Sequence, residues 1–471
     1  MRKILCLALS VCVCFCALAF NSQITKGDAT EDFSLPANVF VGKIGIGWNL
    51  GNTLDANPTW GMGSNPTPYE QETGWKNPYT STDMIDLIKD SGFNSIRIPV
   101  TWYPQVSVKD GVYTINSAWM NRVKEIAQYC VDKDMYVIVD MHHDDRKWLN
   151  ISAKETTWQK VKEEYTQLWT QIATAFKDFD EHLILEGANE IVPTSNFCPK
   201  DYSSTHEFKY TDGDYVTGGL CWWGLHNPKA QERINEIYKI FCNVVRASGG
   251  NNDKRYLMLP TLGAQCGNSS YFEKIYKPAN DDHIIVDIHW YTLGDQIDND
   301  KRANYTAIWQ QQMNKYGFAI VMGECGFYED VASQTKVLWA SRFVKDLRDN
   351  FNIPVFLWDD GGDMKIMNRS AASWVTKTAD NTAYVQAAVE AGKVDENFVF
   401  TTKPPKPVLG DVDGNFKLEL RDALVVKNYL AKKSVPADCT VSVSTADMNY
   451  DKVINAVDLL IIRRKIVNSF S

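Results

Sequence analysis

The chain has 471 residues, and its 58 acidic side chains outnumber 49 basic ones, which gives a formal net charge of −9. Nucleic acids and anionic membranes both require a basic face, so this charge balance argues against either as a partner. The length suits one large domain plus a small one, and 44% hydrophobic with 23% charged residues is typical of a globular protein.

The first residues have the pattern of a secretory signal peptide. Arg2 and Lys3 precede an apolar run, and Ala17 and Ala19 form a small-x-small cleavage site. We therefore assign residues 1–19 to the signal and expect a secreted protein. Without these two cations the mature chain has 47 basic against 58 acidic side chains, a net charge near −11. Lipidation of an early cysteine is the alternative.

The cysteines of the mature chain do not have the spacing of a metal site. None of them forms a CxxC pair, so neither a zinc site nor a dense disulfide framework is expected. Cys198 and Cys221 bracket a polar segment and could form a disulfide. Their spacing alone does not decide whether they do.

Short apolar runs alternate with amphipathic helical stretches from about residue 43 to residue 397. The runs lack a polar alternation, which is typical of parallel strands that helices cover. They span residues 44–50, 94–100, 135–141, 182–188, 255–260, 283–290, 318–324 and 353–359. Eight such βα units predict an α/β fold, a (β/α)₈ TIM barrel, over residues 36–397. A doubly wound open sheet is the alternative, but no glycine-rich phosphate fingerprint follows these runs.

Polar side chains recur at the carboxyl ends of these strands, where barrels of this type carry their chemistry. The residues are Arg97 in the second run, His142 and His143 after the third, Asn189 and Glu190 after the fourth, His289 and Tyr291 at the sixth, Glu324 in the seventh and Trp358 in the eighth. A metal hydrolase built on His142, His143 and Asp144 is an alternative, but it leaves Asn189 and Glu324 without a role.

Glu190 and Glu324 are far apart in the sequence but end two strands of one ring, so they are expected to face each other. Glycosidases use two such carboxyl groups, about 5–5.5 Å apart in retaining enzymes and about 6.5–9.5 Å apart in inverting ones. Arg97 beside one carboxylate would keep it ionised. The other, with fewer positive partners, is expected to have a raised pKa and to hold a proton.

Five motifs resemble glycoside hydrolase family 5, within it the endoglucanases. They are GWNLGNTLDA (47–56), ETGWKNP (72–78), GFNSIRIPVTW (92–102), VIVDMHH (137–143) and SGGNNDKRYLMLP (248–260). The resemblance spans roughly residues 40–395. It implies a retaining endo-β-1,4-glucanase that needs no cofactor for catalysis, with Glu190 as general acid/base and Glu324 as nucleophile.

The same resemblance implies supporting roles for the other strand-end residues. Asn189 would bind the sugar 2-hydroxyl, Arg97 and Tyr291 would hold Glu324, and His289 would orient Glu190. His142 and His143 would line the site, and Trp358 would be the floor on which a sugar stacks. The sequence also departs from the family pattern near the site: Ile191-Val192 stand before Pro193, and Cys325 follows Glu324. Such departures affect which sugars the subsites prefer, so xyloglucan, mixed-linkage glucan and mannan stay open as preferred substrates. A non-catalytic glycan-binding barrel is the second hypothesis.

A proline-rich linker, residues 398–408, precedes a tail (409–471) with two related loops, 411–422 and 447–458. Both loops have oxygen side chains at positions 1, 3, 5, 9 and 12, a spacing that suits Ca²⁺, which also takes the carbonyl of position 7. The predicted ligands are Asp411, Asp413, Asn415, Lys417, Asp422, Asp447, Asn449, Asp451, Val453 and Asp458. An acidic, solvated repeat without bound ions is the alternative.

One apolar helix is predicted after each loop, and this duplication resembles a dockerin. The resemblance implies two bound Ca²⁺ ions and a cohesin on a cellulosomal scaffold as partner. Phe416 and Lys452 occupy position 6, where an EF-hand loop has glycine. Positions 10 and 11 are Leu420-Arg421 in one loop and Ala456-Val457 in the other, so we expect unequal cohesin binding by the two faces.

Overall fold

The computed structural model describes residues 33–58, 62–193, 228–273 and 275–394. In the tail it describes residues 410, 412, 418–436, 439, 441–442, 446–449 and 453–468. The predicted signal peptide, the linker, the pair Cys198–Cys221 and five calcium-ligand predictions lie outside these ranges; the five are Asp411, Asp413, Asn415, Lys417 and Asp451. Within the described ranges, no helix is both long enough and apolar enough to cross a membrane.

Eight parallel strands form a closed barrel, as the sequence predicts. The described strands are β1 (Ile46–Leu50), β2 (Ser95–Ile98), β3 (Val106–Lys109), β4 (Val112–Ile115), β5 (Tyr136–Val139), β6 (Leu183–Glu186), β7 (Leu257–Pro260), β8 (Ile284–Trp290), β9 (Ala319–Cys325) and β10 (Val355–Asp359). The barrel runs β1-β2-β5-β6-β7-β8-β9-β10 and closes where β10 pairs with β1. Each predicted apolar run contains one barrel strand, so the α/β barrel prediction is confirmed.

The described α-helices lie mainly outside the barrel. They are α1 (Ala37–Ile44), α2 (Pro68–Glu72), α3 (Thr82–Asp90), α4 (Ser117–Asp132), α5 (Glu155–Phe176), α6 (Pro228–Ala247), α7 (Ser270–Glu273), α8 (Leu293–Ile297), α9 (Asn299–Tyr316), α10 (Ser333–Trp339), α11 (Lys345–Phe351), α12 (Thr382–Ala391), α13 (Leu420–Leu430) and α14 (Ala456–Asn468). Local sequence fixes their ends. Asp298, for example, accepts hydrogen bonds from the N–H groups of Asp300 and Lys301 in the first turn of α9, and Gly317, with φ 66°, caps the other end.

Helix α1 packs across the amino-terminal end of the barrel, an arrangement that the sequence analysis missed. Phe40 and Val41 join the core inside the barrel, and the Phe40 ring stacks on Tyr256 with centroids 3.5 Å apart. Gly47 makes room for the inward-facing Phe356, because a Cβ at Gly47 would lie 2.2 Å from that ring. One end of the barrel is thus filled with apolar side chains, and the polar strand ends occupy the other.

The antiparallel hairpin β3–β4 was also missed. Its turn is Asp110-Gly111, both with positive φ, as two-residue hairpin turns require. Gln167 and Gln171 of α5 accept hydrogen bonds from backbone N–H groups of β4. The hairpin is therefore held against an outer helix.

Candidate active site

Glu324, the penultimate residue of β9, is held by two donors. Arg97 Nη1 lies 2.7 Å from its Oε1, and the Tyr291 hydroxyl donates to its Oε2 at 2.7 Å. Arg97 is fully buried, and its other nitrogens reach Glu186 at 2.7 Å and Asp140 at 2.8 Å. Burial lowers the pKa of Arg97, but the three carboxylates outweigh burial and raise that pKa well above its usual value. The guanidinium is thus permanently charged beside Glu324.

Glu190 lies in the loop after β6 and has one cation at each oxygen. His289 Nδ1 is 2.9 Å from Oε1, and Arg146 Nη2 is 3.4 Å from Oε2. Burial raises the pKa of Glu190, but His289 and Arg146 outweigh burial, so the pKa lies below its usual value. The expectation of a raised pKa is therefore wrong for the substrate-free site: the sequence analysis placed His289 beside Glu190 but did not count it as a cation, and it missed Arg146.

The surroundings of His289 favour a proton on this imidazole rather than on Glu190. Burial lowers the pKa of this imidazole, but the charges of Glu324 and Asp287 raise it well above its usual value. Its Nε2 lies 2.9 Å from Asp287 Oδ2, and its Nδ1 lies 3.5 Å from Glu324 Oε2. One ring nitrogen of His289 thus lies within 3.5 Å of an oxygen of each glutamate.

The two glutamates meet across the mouth of the barrel. One oxygen of Glu190, one ring nitrogen of His289 and one oxygen of Glu324 all lie within 4.8 Å of one another. Nearest oxygens no more than 4.8 Å apart favour the spacing of about 5–5.5 Å between carboxyl groups of retaining glycosidases over the roughly 6.5–9.5 Å of inverting ones. The same three side chains have the spacing of a metal-binding group, and each of them already has a partner in the hydrogen-bond network of the site.

Asn189 is oriented by the same buried network. Its Oδ1 accepts a hydrogen bond from Arg97 Nη2 at 3.0 Å, and its Nδ2 lies 3.4 Å from His142 Nε2. His142 Nδ1 is 2.7 Å from Asp140 Oδ2. Burial lowers the pKa of His142 well below its usual value, so the neutral ring donates from Nδ1 and accepts at Nε2. The amide of Asn189 is fixed with its NH₂ group away from Arg97.

Trp358, at the end of β10, is half-buried and lies parallel to the His142 ring, with centroids 5.8 Å apart. A Cβ at Gly51 would lie 2.8 Å from the indole, so glycine is needed there to seat it. His143 continues this wall, 4.4 Å from His142 and 5.7 Å from Trp75 between ring centroids. These flat side chains border the carboxylate pair.

The metal-hydrolase alternative is not supported by the geometry around the two histidines. Asp144 accepts a hydrogen bond from the backbone N–H of Trp102 at 2.8 Å and so has a structural role. Asp55 faces both rings instead, 4.0 Å from His142 Nε2 and 3.9 Å from His143 Nε2. Asp144 is thus not available as the third ligand that catalytic zinc needs, and the carboxylate beside the Nε2 atoms of the two histidines is Asp55.

Sequence reasoning missed several charged groups that complete the site. Asp140, Glu186 and Asp287 are fully buried carboxylates; Asp140 follows β5, Glu186 ends β6 and Asp287 lies in the middle of β8. Arg146 approaches from the loop after β5. A single acidic residue within or at the end of an apolar run, as in residues 183–186, is the signal that finds the three carboxylates. No pattern in the sequence indicates Arg146.

A pocket of about 670 Å³ opens on the Glu190 side of the pair. Its walls include polar and aromatic side chains from the loops after β7 and β8 and from α9. They are Glu190, Gln265, Asn268, Tyr271, His289, Tyr291, Thr292 and Tyr305. The site therefore offers a binding volume beyond Glu190 as well as the aromatic wall at Trp358.

The tail repeats one arrangement of carboxylate and backbone. Asp422 is buried and accepts hydrogen bonds from the N–H groups of Val412 (2.9 Å) and Glu419 (2.8 Å). Asp458 makes the two equivalent bonds, each 2.8 Å long. Asp447, Asn449 and Val453 precede α14 as the repeat requires. Carboxylate, amide and carbonyl oxygens at these positions are the donors that Ca²⁺ prefers.

Comparison with known proteins agrees with both parts of the chain. The family described as cellulase (glycosyl hydrolase family 5) matches residues 55–363, and the type I dockerin domain matches residues 409–467. Cellulase/esterase CelE of Acetivibrio thermocellus is 31% identical over 83% of this chain, and the chain spans 46% of that relative's length.

Two solved structures have similar folds. A GH5-4 broad-specificity endoglucanase from Ruminococcus champanellensis, with bound cellotriose, is 31% identical with a TM-score of 0.63, over 75% of this chain and 98% of that one. A xyloglucan-specific endo-β-1,4-glucanase of the family, from a metagenomic library, is 31% identical with a TM-score of 0.60, over 74% of this chain and 98% of that one.

Proposed function

This chain belongs to glycosyl hydrolase family 5 and carries a type I dockerin domain, and we propose that it is a secreted, retaining endo-β-1,4-glucanase. The observation that carries this proposal is the meeting of Glu190 and Glu324, with one oxygen of each within 4.8 Å of the other. That separation suits a nucleophile and an acid/base that act on one anomeric carbon.

In the first step Glu324 attacks the anomeric carbon and forms a glycosyl ester while the glycosidic bond breaks. Arg97 and Tyr291 hold its two oxygens and so fix the direction of attack. Glu190 protonates the departing oxygen. The proton is available from His289, whose Nδ1 lies 2.9 Å from Glu190.

In the second step Glu190 removes a proton from water, which attacks the ester and releases Glu324. The low pKa of Glu190 in the free site favours the ionised form that this step needs. Asn189, fixed by Arg97, is placed to bind the 2-hydroxyl of the reacting sugar. Two inversions at one carbon give net retention.

The proposed substrate is a β-1,4-linked glucan that is cut internally. Internal cleavage needs sugars bound on both sides of the scissile bond, and the structure offers the Trp358 wall on one side and the pocket beside Glu190 on the other. The similar solved structures include a broad-specificity endoglucanase and a xyloglucan-specific one. We therefore propose cellulose-type and xyloglucan-type backbones before mannan.

The tail is proposed to bind two Ca²⁺ ions and a cohesin of a scaffold protein. The two equivalent carboxylate arrangements at Asp422 and Asp458 support this role. We also propose the division of the chain into a signal (1–19), a barrel (36–397), a linker (398–408) and a dockerin (409–471). The calcium ligands proposed are Asp411, Asp413, Asn415, Lys417, Asp422, Asp447, Asn449, Asp451, Val453 and Asp458, with positions 417 and 453 contributing carbonyl oxygens.

The test is hydrolysis of a panel of purified polysaccharides by the full-length protein, with viscosity and reducing ends followed together. Glu324→Gln is expected to lower turnover by more than about 10⁴-fold while glycan binding survives. Glu236→Gln is the matched control, since this glutamate pairs with Lys162 on outer helices. Binding without hydrolysis by the unmodified chain would favour the non-catalytic barrel, and substantial hydrolysis by Glu324→Gln would mean that the nucleophile is misassigned.

A further inference from the structure

Arg146 is the charged group at the site for which the proposed mechanism has no role. It ends the 3₁₀ turn His143–Arg146 after β5. Its Nη2 lies 3.4 Å from Glu190 Oε2, the oxygen that His289 does not hold, and both side chains are only 19% exposed. At this depth an ion pair is screened far less than one on the open surface.

The remaining charged and titratable groups that face Glu190 come from three strands of the barrel and from the turn of Arg146 itself. His289 and Tyr291 lie at the end of β8, Glu324 lies in β9 and Arg97 lies in β2. Asp145, on the same turn as Arg146, has Oδ1 3.5 Å from Arg146 Nε. Burial raises the pKa of Asp145 to about 7, so in acidic solution Asp145 competes less with Glu190 for the positive charge of Arg146.

The two cations at Glu190 differ in what happens to them during the reaction. His289 is protonated partly because Glu324 is negative, and Glu324 loses that charge when it forms the glycosyl ester. Arg146 stays charged at any working pH, and its described ion pairs are with Glu190 and Asp145 rather than with Glu324. Its field on Glu190 is therefore present in both half-reactions.

We propose that Arg146 is a positioning residue that sets the proton affinity of Glu190 and with it the upper pH limit of hydrolysis. The inference rests on the proposed function, in which Glu190 is the acid of the first step and the base of the second. A fixed positive charge favours the base form. The charge thus assists the second step, and in the first step it opposes transfer of the proton from His289 to Glu190.

The test is the pH profile of kcat/KM on a soluble β-glucan for the full-length protein and three variants. Arg146→Gln is expected to move the alkaline limb upward by about 0.5–1 pH unit, because without this cation the pair of Glu190 and His289 keeps its proton to higher pH. Arg146→Lys, which keeps the charge, is expected to restore the limb towards its original position. Arg246→Gln is the matched control, since Arg246 is 20% exposed and pairs with Asp281 at 2.9 Å; it should leave the limb in place.

An alkaline limb unmoved in Arg146→Gln, or moved equally in Arg246→Gln, would overturn the inference. A second measurement does not depend on hydrolysis: titration of ¹³C-carboxyl-labelled glutamates by NMR, with the Glu190 signal identified by its loss in Glu190→Gln. The Glu190 midpoint should rise in Arg146→Gln, or in Arg146→Met if the first variant does not fold, and an unchanged midpoint contradicts the proposal. If the unmodified chain hydrolyses no β-glucan, the proposed function is wrong. The midpoint of the Glu190 titration by NMR still decides the role of Arg146 in that case.

Discussion

The barrel and the tail hold their buried carboxylates in different ways. In the barrel one guanidinium, Arg97, pairs with Asp140, Glu186 and Glu324 at 2.7–2.8 Å, so the protein itself supplies the balancing charge. In the tail the described partners of Asp422 and Asp458 are backbone N–H groups. The barrel site is therefore preorganised by side chains of the chain itself. The loops of the tail, in contrast, place oxygen donors together for a cation that must be added.

The largest expected effect comes from removing the central cation of the barrel. Arg97→Met should lower the free energy of unfolding by about 3–5 kcal/mol and abolish activity, because three buried carboxylates lose their common partner. Chemical unfolding followed by tryptophan fluorescence, in buffer with calcium, measures the change.

The half-buried Arg246 gives the matched comparison. Arg246→Gln removes a more exposed ion pair and is expected to cost about 1 kcal/mol or less. If the two substitutions destabilise the barrel equally, the buried network does not provide the preorganisation that distinguishes the barrel from the tail.

Calcium removal should separate the two regions. Chelation is expected to abolish cohesin binding and reduce the helicity of the tail, since clustered oxygen donors repel one another without a cation. Hydrolysis of soluble β-glucan should change by less than about twofold, because domains of this kind fold separately. The measurement compares cohesin affinity by calorimetry with turnover, before and after chelation and after calcium is restored. A parallel loss of both activities would show that the barrel also depends on the ion.

The smallest effect concerns the two faces of the tail. Leu420-Arg421 and Ala456-Val457 begin α13 and α14, and all four side chains are exposed, but their chemistry differs. We expect alanine and glycine substitutions in the first pair to change cohesin affinity about 3- to 10-fold more than those in the second. Calorimetry with one purified cohesin measures both variants, and equal losses would mean that the two faces are equivalent.

Much of the barrel was predictable because a buried strand has a recognisable local sequence, a short continuous apolar run. A run such as residues 135–141, with helical stretches on both sides, indicates a buried parallel strand. The parallel barrel then brings Glu190 and Glu324 together. Helix α1 was not predicted, because nothing in residues 37–44 says which end of the barrel it fills. The hairpin was missed although its Asp110-Gly111 turn is a recognisable signal.

The electrostatics of the site were only partly predictable. Arg97 beside Glu324 follows from the resemblance and from the strand order. The lowered pKa of Glu190 does not, because it depends first on the hydrogen bond and charge of His289 and then on Arg146, a side chain from another loop whose reach no sequence pattern encodes. The placement of a proton on His289 likewise requires the distances to Asp287 and Glu324.

The stereochemistry of the first product tests the central claim most directly. Proton NMR during early hydrolysis of a cello-oligosaccharide shows which anomer appears before mutarotation. Double displacement on Glu324, with Glu190 as acid and then base, predicts the β-anomer first. Initial release of the α-anomer would mean a single displacement by water and would contradict this account of the two carboxylates.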